Sequence, residues 1–314
     1  MRTINREKIL ARVGRVLVLK GGNSPEREIS LISGQAVTDS LQRLGVEVLE
    51  LDIGTDPINA IRAARPDLVV LMLHGKGGED GVMQGLLEVM GLPYSGSGVL
   101  ASALAMDKVK SKLLWQQLGL KTAPFCELYT DTDWGAVIAD FGAVVVKPVC
   151  GGSSLGISIV DDPGTLQQKF AEAMGFDTHI MAEKFIAGTE FSTGVLDDEL
   201  FPTVQLETDR QFFDFEAKYK DEKTRIICPP RLEPEQLDKL EHLVRAAYRS
   251  LGCSGLARVD VMQDEQGEFN LLELNTIPGM TEHSFVPTSA KRVGIDFDEL
   301  MLRILDAEIG VSEQ

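Results

Sequence analysis

Cysteine is scarce in this chain: Cys126, Cys150, Cys228 and Cys253 stand far apart, with no CxxC pair and no Cys/His ligand spacing. That pattern excludes a zinc framework and a disulfide scaffold, and free thiols are expected. Positive charge is also in deficit, with a formal net charge of −17. A polyanion would be repelled, which argues against non-specific DNA or RNA binding, although small anions can still bind where Lys, Arg and backbone N–H groups gather. Long apolar runs are missing too. Leu68 to Leu73 is far too short to cross a bilayer, and Met1 to Leu10 is polar and charged, without a secretory h-region. The expected compartment is the cytoplasm, with neither membrane nor nucleic acid as partner. No internal repeat or low-complexity segment interrupts the chain. What is present is an ordinary globular composition, 44% apolar and 25% charged, and 314 residues allow two or three domains with ample core.

The first hundred residues carry a βαβ rhythm. Arg15 to Leu19 is a short apolar strand, Val46 to Leu51 a second strand and Leu68 to Leu73 a third. Between the first two, Gly21-Gly22-Asn23 turns the chain, and Ser24-Pro25 is expected to start a helix with Ser as N-cap. Ile29, Ile32, Ser33, Ala36, Val37 and Leu41 give that helix an apolar stripe. A small open parallel sheet follows, whose ligands should gather at the carboxyl ends of its strands, where Glu26 and His74 fall. Next come a helix from about Leu104 to Gly119, strands at Ala143 to Lys147, Ile157 to Val160 and Ile180 to Ile186, and a third section from about Thr189. Domain boundaries are expected at 1–102, 103–188 and 189–314. Within the last, Thr208 to Thr224 mixes charges and aromatics without a period and reads as a flap. The first dozen residues read as an added leader.

The densest chemistry lies in Arg258-Val-Asp260-Val and Glu273-Leu-Asn275. Asp264-Glu265-Gln266-Gly267 between them reads as a turn. Centred on Gln266-Gly267, it sets Asp260 opposite Glu273, Arg258 opposite Asn275, Val259 opposite Leu274 and Val261 opposite Leu272. One face is then apolar, and the other carries Arg, Asp, Glu and Asn. Carboxylates directly opposite repel, and Mg²⁺ is the usual cation for such oxygens, often together with nucleotide phosphates. The plain alternative is a half-buried hairpin with a solvated face.

Other segments also carry two readings. Gly151-Gly-Ser-Ser-Leu-Gly156, between two strands and after Lys147, can cradle a phosphate with its N–H groups and hydroxyls, or can simply be a glycine-rich hairpin. It is no Walker A loop, because no Lys-Ser/Thr follows Gly156. Gly96-Ser-Gly98-Val-Leu-Ala101 matches the letters of a dinucleotide fingerprint, but it follows a poor strand and no acidic residue sits about 20 residues on, so a turn capping the next helix is expected. Glu26 and His74 are either a dipole partner and a structural histidine, or together the holders of a substrate ammonium. Glu183-Lys184-Phe185-Ile186-Ala187-Gly188-Thr189-Glu190 is an edge strand with a turn, or a hinge holding an adenine. Glu216-Ala-Lys218-Tyr219 is a solvated loop, or a lid over a reactive intermediate.

Taken together, these segments resemble the ATP-grasp superfamily and, within it, the D-alanine–D-alanine ligases. The resemblance runs from Arg15 to about Leu305. Its specific strings are Gly21-Gly-Asn-Ser-Pro-Glu-Arg-Glu-Ile-Ser30, Leu73-His-Gly-Lys-Gly-Gly-Glu-Asp-Gly81, Met106-Asp-Lys-Val-Lys-Ser-Lys112, Glu216-Ala-Lys-Tyr219, Arg258-Val-Asp260 and Leu274-Asn-Thr-Ile-Pro-Gly-Met-Thr281. It implies an α/β (α+β) ATP-grasp fold, with an N-terminal Rossmann-like open parallel sheet and two further α+β subdomains clasping ATP. It implies that ATP phosphorylates one D-alanine, that a second D-alanine's amine attacks the acyl phosphate, and that the dipeptide serves peptidoglycan synthesis. By resemblance Lys108 and Lys147 hold the ATP phosphates, covered by Ser153, Ser154 and the loop N–H groups. Glu183, Lys184, Ile186 and Glu190 contact adenosine, with Phe185, Phe212 and Met262 near the base. Asp260, Glu273 and Asn275 match ligands of two Mg²⁺ ions, with Mn²⁺ as a substitute. Arg258 and the Gly279 N–H match the oxyanion pair. Glu26 and His74 match the holders of the first ammonium, Glu26, Ser153 and Tyr219 the network on the second amine, and Lys218 and Ser284 the clamp on its carboxylate. A homodimer is also implied. The chain departs from many relatives at Val149-Cys150-Gly151, where theirs are more polar, and at Ile277.

Alternatives differ in the second substrate or in catalysis itself. D-lactate or D-serine as acceptor, a different carboxylate–amine ligase, and a non-catalytic nucleotide-binding regulator are the other readings. The Lys218-Tyr219 pair favours D-alanine by resemblance, and a pure binder has no use for Arg258 beside Asp260.

Overall fold

Apolar side chains on successive residues need cover on both faces of a strand, and β1 (Arg15–Gly21) receives it: Val16, Leu17, Val18 and Leu19 are all buried. In this computed structural model, which describes residues 2–54, 56–152, 156–207 and 225–310, β1 is the centre of a parallel sheet. Its neighbours are β2 (Glu47–Ile53) and β3 (Leu68–Leu71). The Rossmann-like sheet expected from the sequence is therefore present. The chain leaves β1 through Gly21 and Gly22, both at positive φ. The helix that follows runs Arg27–Leu44, two residues later than the Ser-Pro signal placed it. Ser24 is spent on a preceding turn: its Oγ accepts from the Glu26 N–H (3.2 Å) and donates to the His74 carbonyl (2.7 Å). Glu26 becomes the N-cap residue as a result.

The helix expected over Leu104 to Gly119 is two helices, Val99–Met106 and Lys108–Gln117, broken at Asp107. Asp107 is extended (φ −86°, ψ 98°) and its carboxylate accepts from the Lys110 N–H, so an N-cap sits where continuous periodicity was read. Gly96-Ser-Gly98 leads into the first of these helices, as the turn reading expected. Tyr94, in the poor strand before it, makes a single parallel bridge to Val69.

A second sheet has the order β4-β7-β5-β6, from β4 (Phe125–Leu128), β5 (Val144–Pro148), β6 (Ser158–Val160) and β7 (Ile180–Lys184), and every pairing is antiparallel. The third sheet is built on β8 (Gly188–Leu196), which pairs with β9 (Glu199–Leu200) and lies between β10 (Val204–Glu207) and β12 (Leu256–Asp264). Next to β10 is β11 (Arg225–Ile227), and β13 (Phe269–Asn275) follows β12 at the far edge. Only Ala187 and its neighbours separate β7 from β8, so the chain passes from one antiparallel sheet to the other at Phe185–Gly188.

The residues read as a leader form a helix, Arg6–Arg12, capped by the Asn5 side chain. Its Ile9 is fully buried in the same core as Leu300, Met301 and Ile304 of the helix Phe297–Ile309. This segment is part of the core, an outcome that its polar composition hid.

Candidate active site

The β12–β13 hairpin brings its carboxylates together as its residue spacing required. Arg258 pairs with Asn275, Val259 with Leu274, and Asp260 with Glu273. Beyond Asp260 the register slips, and Val261 faces Leu271 instead of the expected Leu272. The cause is a β-bulge at Leu272, fixed from both sides. The turn closes with the Asp264 N–H on the Glu268 carbonyl (2.9 Å), and Gly267 takes φ +82°. On the outer edge, the Leu271 N–H donates to the Lys121 carbonyl (2.8 Å), and the Leu271 carbonyl accepts from Thr122 Oγ1 (2.7 Å). One extra residue lets β13 satisfy both the turn and the carboxylate pair. Nor is the charged face solvated, because Asp260 is only 2% exposed. The plain hairpin reading fails on that burial.

Asp260 is held by three donors. Arg258 Nε lies 2.9 Å from Oδ1, Arg258 Nη2 lies 2.7 Å from Oδ2, and Ser192 Oγ donates to Oδ1 (2.6 Å). Ser192 stands opposite Asp260 on β8, a partner that sequence spacing could not reveal because the strands are far apart in the chain. The Arg258 guanidinium also lies over the Phe285 ring, 5.6 Å from its centroid. Glu273 meets Lys108, whose Nζ is 3.2 Å from Oε2 and also donates to the Gly151 carbonyl. Burial works against the Lys108 charge, but Glu273 outweighs it and the pKa is raised, so this ammonium stays charged.

Two cavities meet at this pair. One, of ≈ 770 Å³, lies between the two antiparallel sheets and is lined by Lys147, Glu183, Lys184, Phe185, Ile186, Glu190 and Met262. Asp260 and the bulge residue Leu272 also line it. The other, of ≈ 900 Å³, is lined by Glu26, His74, Arg258, Asn275, Gly279 and Ser284, together with Glu79, His283 and Phe285. Lys108 and Glu273 line both. The described residues assigned to adenosine therefore share the first cavity, and those assigned to the amino acids share the second. Ser153, Ser154, Phe212, Lys218 and Tyr219, and the flap expected over Thr208 to Thr224, lie outside the described residues.

The second cavity has polar groups aimed at a ligand. His74 is 5% exposed, and its Nε2 is buried without a hydrogen-bond partner; Nδ1 lies 4.0 Å from Glu79 Oε1. A buried imidazole nitrogen left this way is costly unless a ligand satisfies it. Glu26 reaches from the N-terminus of its helix to the glycine-rich loop, where an ideal Cβ at Gly152 would stand 2.6 Å from Oε1. Glycine there allows the carboxylate and the loop to touch, a contact with no sequence signal. Opposite, the Thr281 N–H donates to Ser284 Oγ (3.0 Å), and a Cβ at Gly279 would come within 3.1 Å of that oxygen.

In the first cavity Glu183 Oε2 sits between Lys147 Nζ (3.0 Å) and Lys112 Nζ (2.8 Å). Desolvation would raise the Glu183 pKa, but the two lysines prevail and lower it. Lys112 was passed over in the sequence. The signal available was its position one helical turn after Lys108, which places both ammonium groups on one face.

The hairpin also offers the donor set of a hard cation. Two carboxylates and the Asn275 amide, whose Oδ1 accepts from the Ile277 N–H (3.0 Å), are all oxygen ligands, which suits Mg²⁺. Among the described residues, no group of three or more His, Cys, Asp or Glu gathers as a metal site. A small protein contribution fits an ion that keeps waters and phosphate oxygens in its shell.

The family profiles described as D-ala D-ala ligase C-terminus and D-ala D-ala ligase N-terminus match residues 114–306 and 55–97. The D-alanine–D-alanine ligase of Chromohalobacter salexigens is 48% identical over 300 residues, 95% of this chain and 96% of that protein. That of Saccharophagus degradans is 46% identical over 296 residues, 94% of each. Among solved structures, the Bacillus anthracis D-alanine–D-alanine ligase complexed with ATP superposes with a TM-score of 0.84 at 31% identity, covering 95% of this chain and 98% of its own.

Proposed function

This chain belongs to the D-alanine–D-alanine ligase family, and on that premise we propose that its two joined cavities make D-alanyl-D-alanine from two D-alanines and ATP. It is an ATP-grasp ligase acting in peptidoglycan synthesis. The observation that carries the residue-level reading is the wall shared by the two cavities: Lys108 and Glu273 face both, so a terminal phosphate in one lies against a carboxylate in the other. Nothing in the matches supports a D-lactate or D-serine acceptor or a non-catalytic regulator.

Each residue has a task in that reaction. Lys108 and Lys147 neutralise the phosphates, and the edge Lys184–Ile186 with Glu190, Phe185 and Met262 holds the adenosine. Mg²⁺, held by Asp260, Glu273 and Asn275, supplies charge neutralisation for phosphoryl transfer when bound. His74 and Glu26 hold the first D-alanine's ammonium and turn its carboxylate towards the phosphate. Ser284 with Lys218 holds the second carboxylate. The second amine loses its proton through the network of Glu26, Ser153 and Tyr219 before it attacks, because an ammonium has no lone pair to give. The Arg258 guanidinium and the Gly279 N–H meet the oxyanion that forms.

Cytoplasmic residence and a homodimer belong to the same reading. No helix among the described residues is long and apolar enough to cross a membrane. Sedimentation at micromolar concentration tests the dimer, and a purely monomeric species removes it. The function is tested by phosphate release with ATP, Mg²⁺ and a panel of D- and L-amino acids. Release with D-alanine and none with L-alanine is expected, and release independent of D-alanine overturns the reading.

A further inference from the structure

Lys112 has no part in the reaction above, yet it is fully buried at 0% exposure. Taking an ammonium out of water costs several kcal/mol unless its donors find partners. Here the ammonium forms an ion pair with Glu183 Oε2 at 2.8 Å and donates hydrogen bonds to Thr122 Oγ1 at 2.6 Å and to the Leu271 carbonyl at 3.1 Å. These partners belong to separate parts of the fold. Glu183 is on β7 of one antiparallel sheet and also holds Lys147. Leu271 is on edge strand β13 of the other, immediately before the bulge that keeps Glu273 opposite Asp260. Thr122 lies in the segment between, bridged to Leu271. The same helix face, one turn earlier, carries Lys108 onto Glu273.

We propose that Lys112 is a positioning residue: one ammonium fixes Lys147, through Glu183, relative to the bulged strand that presents Glu273. The proposal rests on the assignment of Lys147 to the nucleotide phosphates and of Glu273 to the metal. Two consequences separate it from plain core packing. Without Lys112, Glu183 has Lys147 as its remaining lysine and draws it away from phosphate. The Leu271 carbonyl also loses a charged donor at the bulge, and the Glu273 carboxylate is held less firmly. Nucleotide and metal binding should therefore suffer together, while the amino-acid cavity, which none of Lys112, Glu183, Thr122 and Leu271 lines, feels the change only through the shared Glu273.

The test is Lys112→Met in the full chain, checked for native circular dichroism. Losing a charged hydrogen-bond network should weaken Mg·ATP binding in an equilibrium titration by about tenfold, and raise the Mg²⁺ concentration for half-maximal activity by a similar factor. The KM for D-alanine should stay within about twofold, since neither Lys112 nor any of its partners lines that cavity and only the shared Glu273 reaches it. Unchanged ATP and Mg²⁺ constants overturn the proposal, as does an equal loss across all three constants. If Lys112→Met does not fold, Thr122→Val decides: it removes one of the ammonium's partners and keeps the Glu183 ion pair. A two- to threefold shift in the same two constants (roughly 0.5 kcal/mol) supports the proposal, and no shift overturns it. Failure of the underlying reading looks different, because the native chain would then release no phosphate with D-alanine.

Discussion

Arg258 illustrates how one side chain serves both structure and chemistry. It neutralises a buried Asp260 through its Nε and Nη2, stacks on Phe285, and lines the amino-acid cavity. Arg258→Ala should lower kcat by roughly 100- to 1000-fold, with a smaller change in the KM for ATP, because the lost donor acts on charge that develops in the transition state. Steady-state kinetics checks this, and normal turnover removes the oxyanion role. Glu308 makes a different residue-scale prediction. Burial raises its pKa from 4.5 to about 7, and nearby Asp197 adds to the effect against the opposing hydrogen bond from the Gly96 N–H. Between those values the folded protein keeps a proton that the unfolded chain has already lost, so stability falls as pH rises from 4.5 through 7. Glu308→Gln keeps an acceptor for Gly96 and removes the titration. Its stability relative to the native chain should climb across that window by about 2 kcal/mol, read by urea unfolding at each pH. A difference independent of pH would contradict it.

At the scale of elements, half of the β12–β13 hairpin was legible and half was not. Alternation and the turn between two apolar runs were enough to pair Asp260 with Glu273 and Arg258 with Asn275. The slip at Leu272 could not be read, because its cause lies about 150 residues away, where Lys112 and Thr122 hold the Leu271 carbonyl. Capping explains the other errors. Ser24 and Asp107 are both good cap residues, but which backbone N–H each one serves depends on tertiary contacts such as the His74 carbonyl. The glycine-rich loop at Gly152 carries the prediction at this scale. A methyl group at Gly152 would meet the Glu26 carboxylate, the movable end of a flexible side chain. Gly152→Ala should therefore leave the melting temperature nearly unchanged and raise the KM for D-alanine by roughly tenfold through a displaced Glu26. Unchanged KM with lowered stability would show that the contact only packs the loop.

Across the whole molecule, the parallel sheet and the β12–β13 hairpin were legible from their apolar runs and alternation, whereas the strands Phe125–Leu128, Gly188–Leu196, Val204–Glu207 and Arg225–Ile227 were not read. The attachment of the N-terminal helix was not legible either, since the few apolar residues there, Ile9 and Val13 buried and Ile4 and Leu10 packed beside them, are scattered among charges. The meeting of the two cavities was also beyond any local pattern, since Lys108 and Glu273 come from distant segments and no spacing rule joins them. The proposed reaction places at their junction the passage of a phosphoryl group from ATP to a D-alanine carboxylate. The most direct measurement follows the oxygen. With D-alanine labelled with ¹⁸O in its carboxylate, each dipeptide formed should leave one labelled oxygen in the released phosphate, seen by mass spectrometry. Phosphate free of label, while dipeptide and ADP accumulate, would contradict an acyl phosphate at this junction.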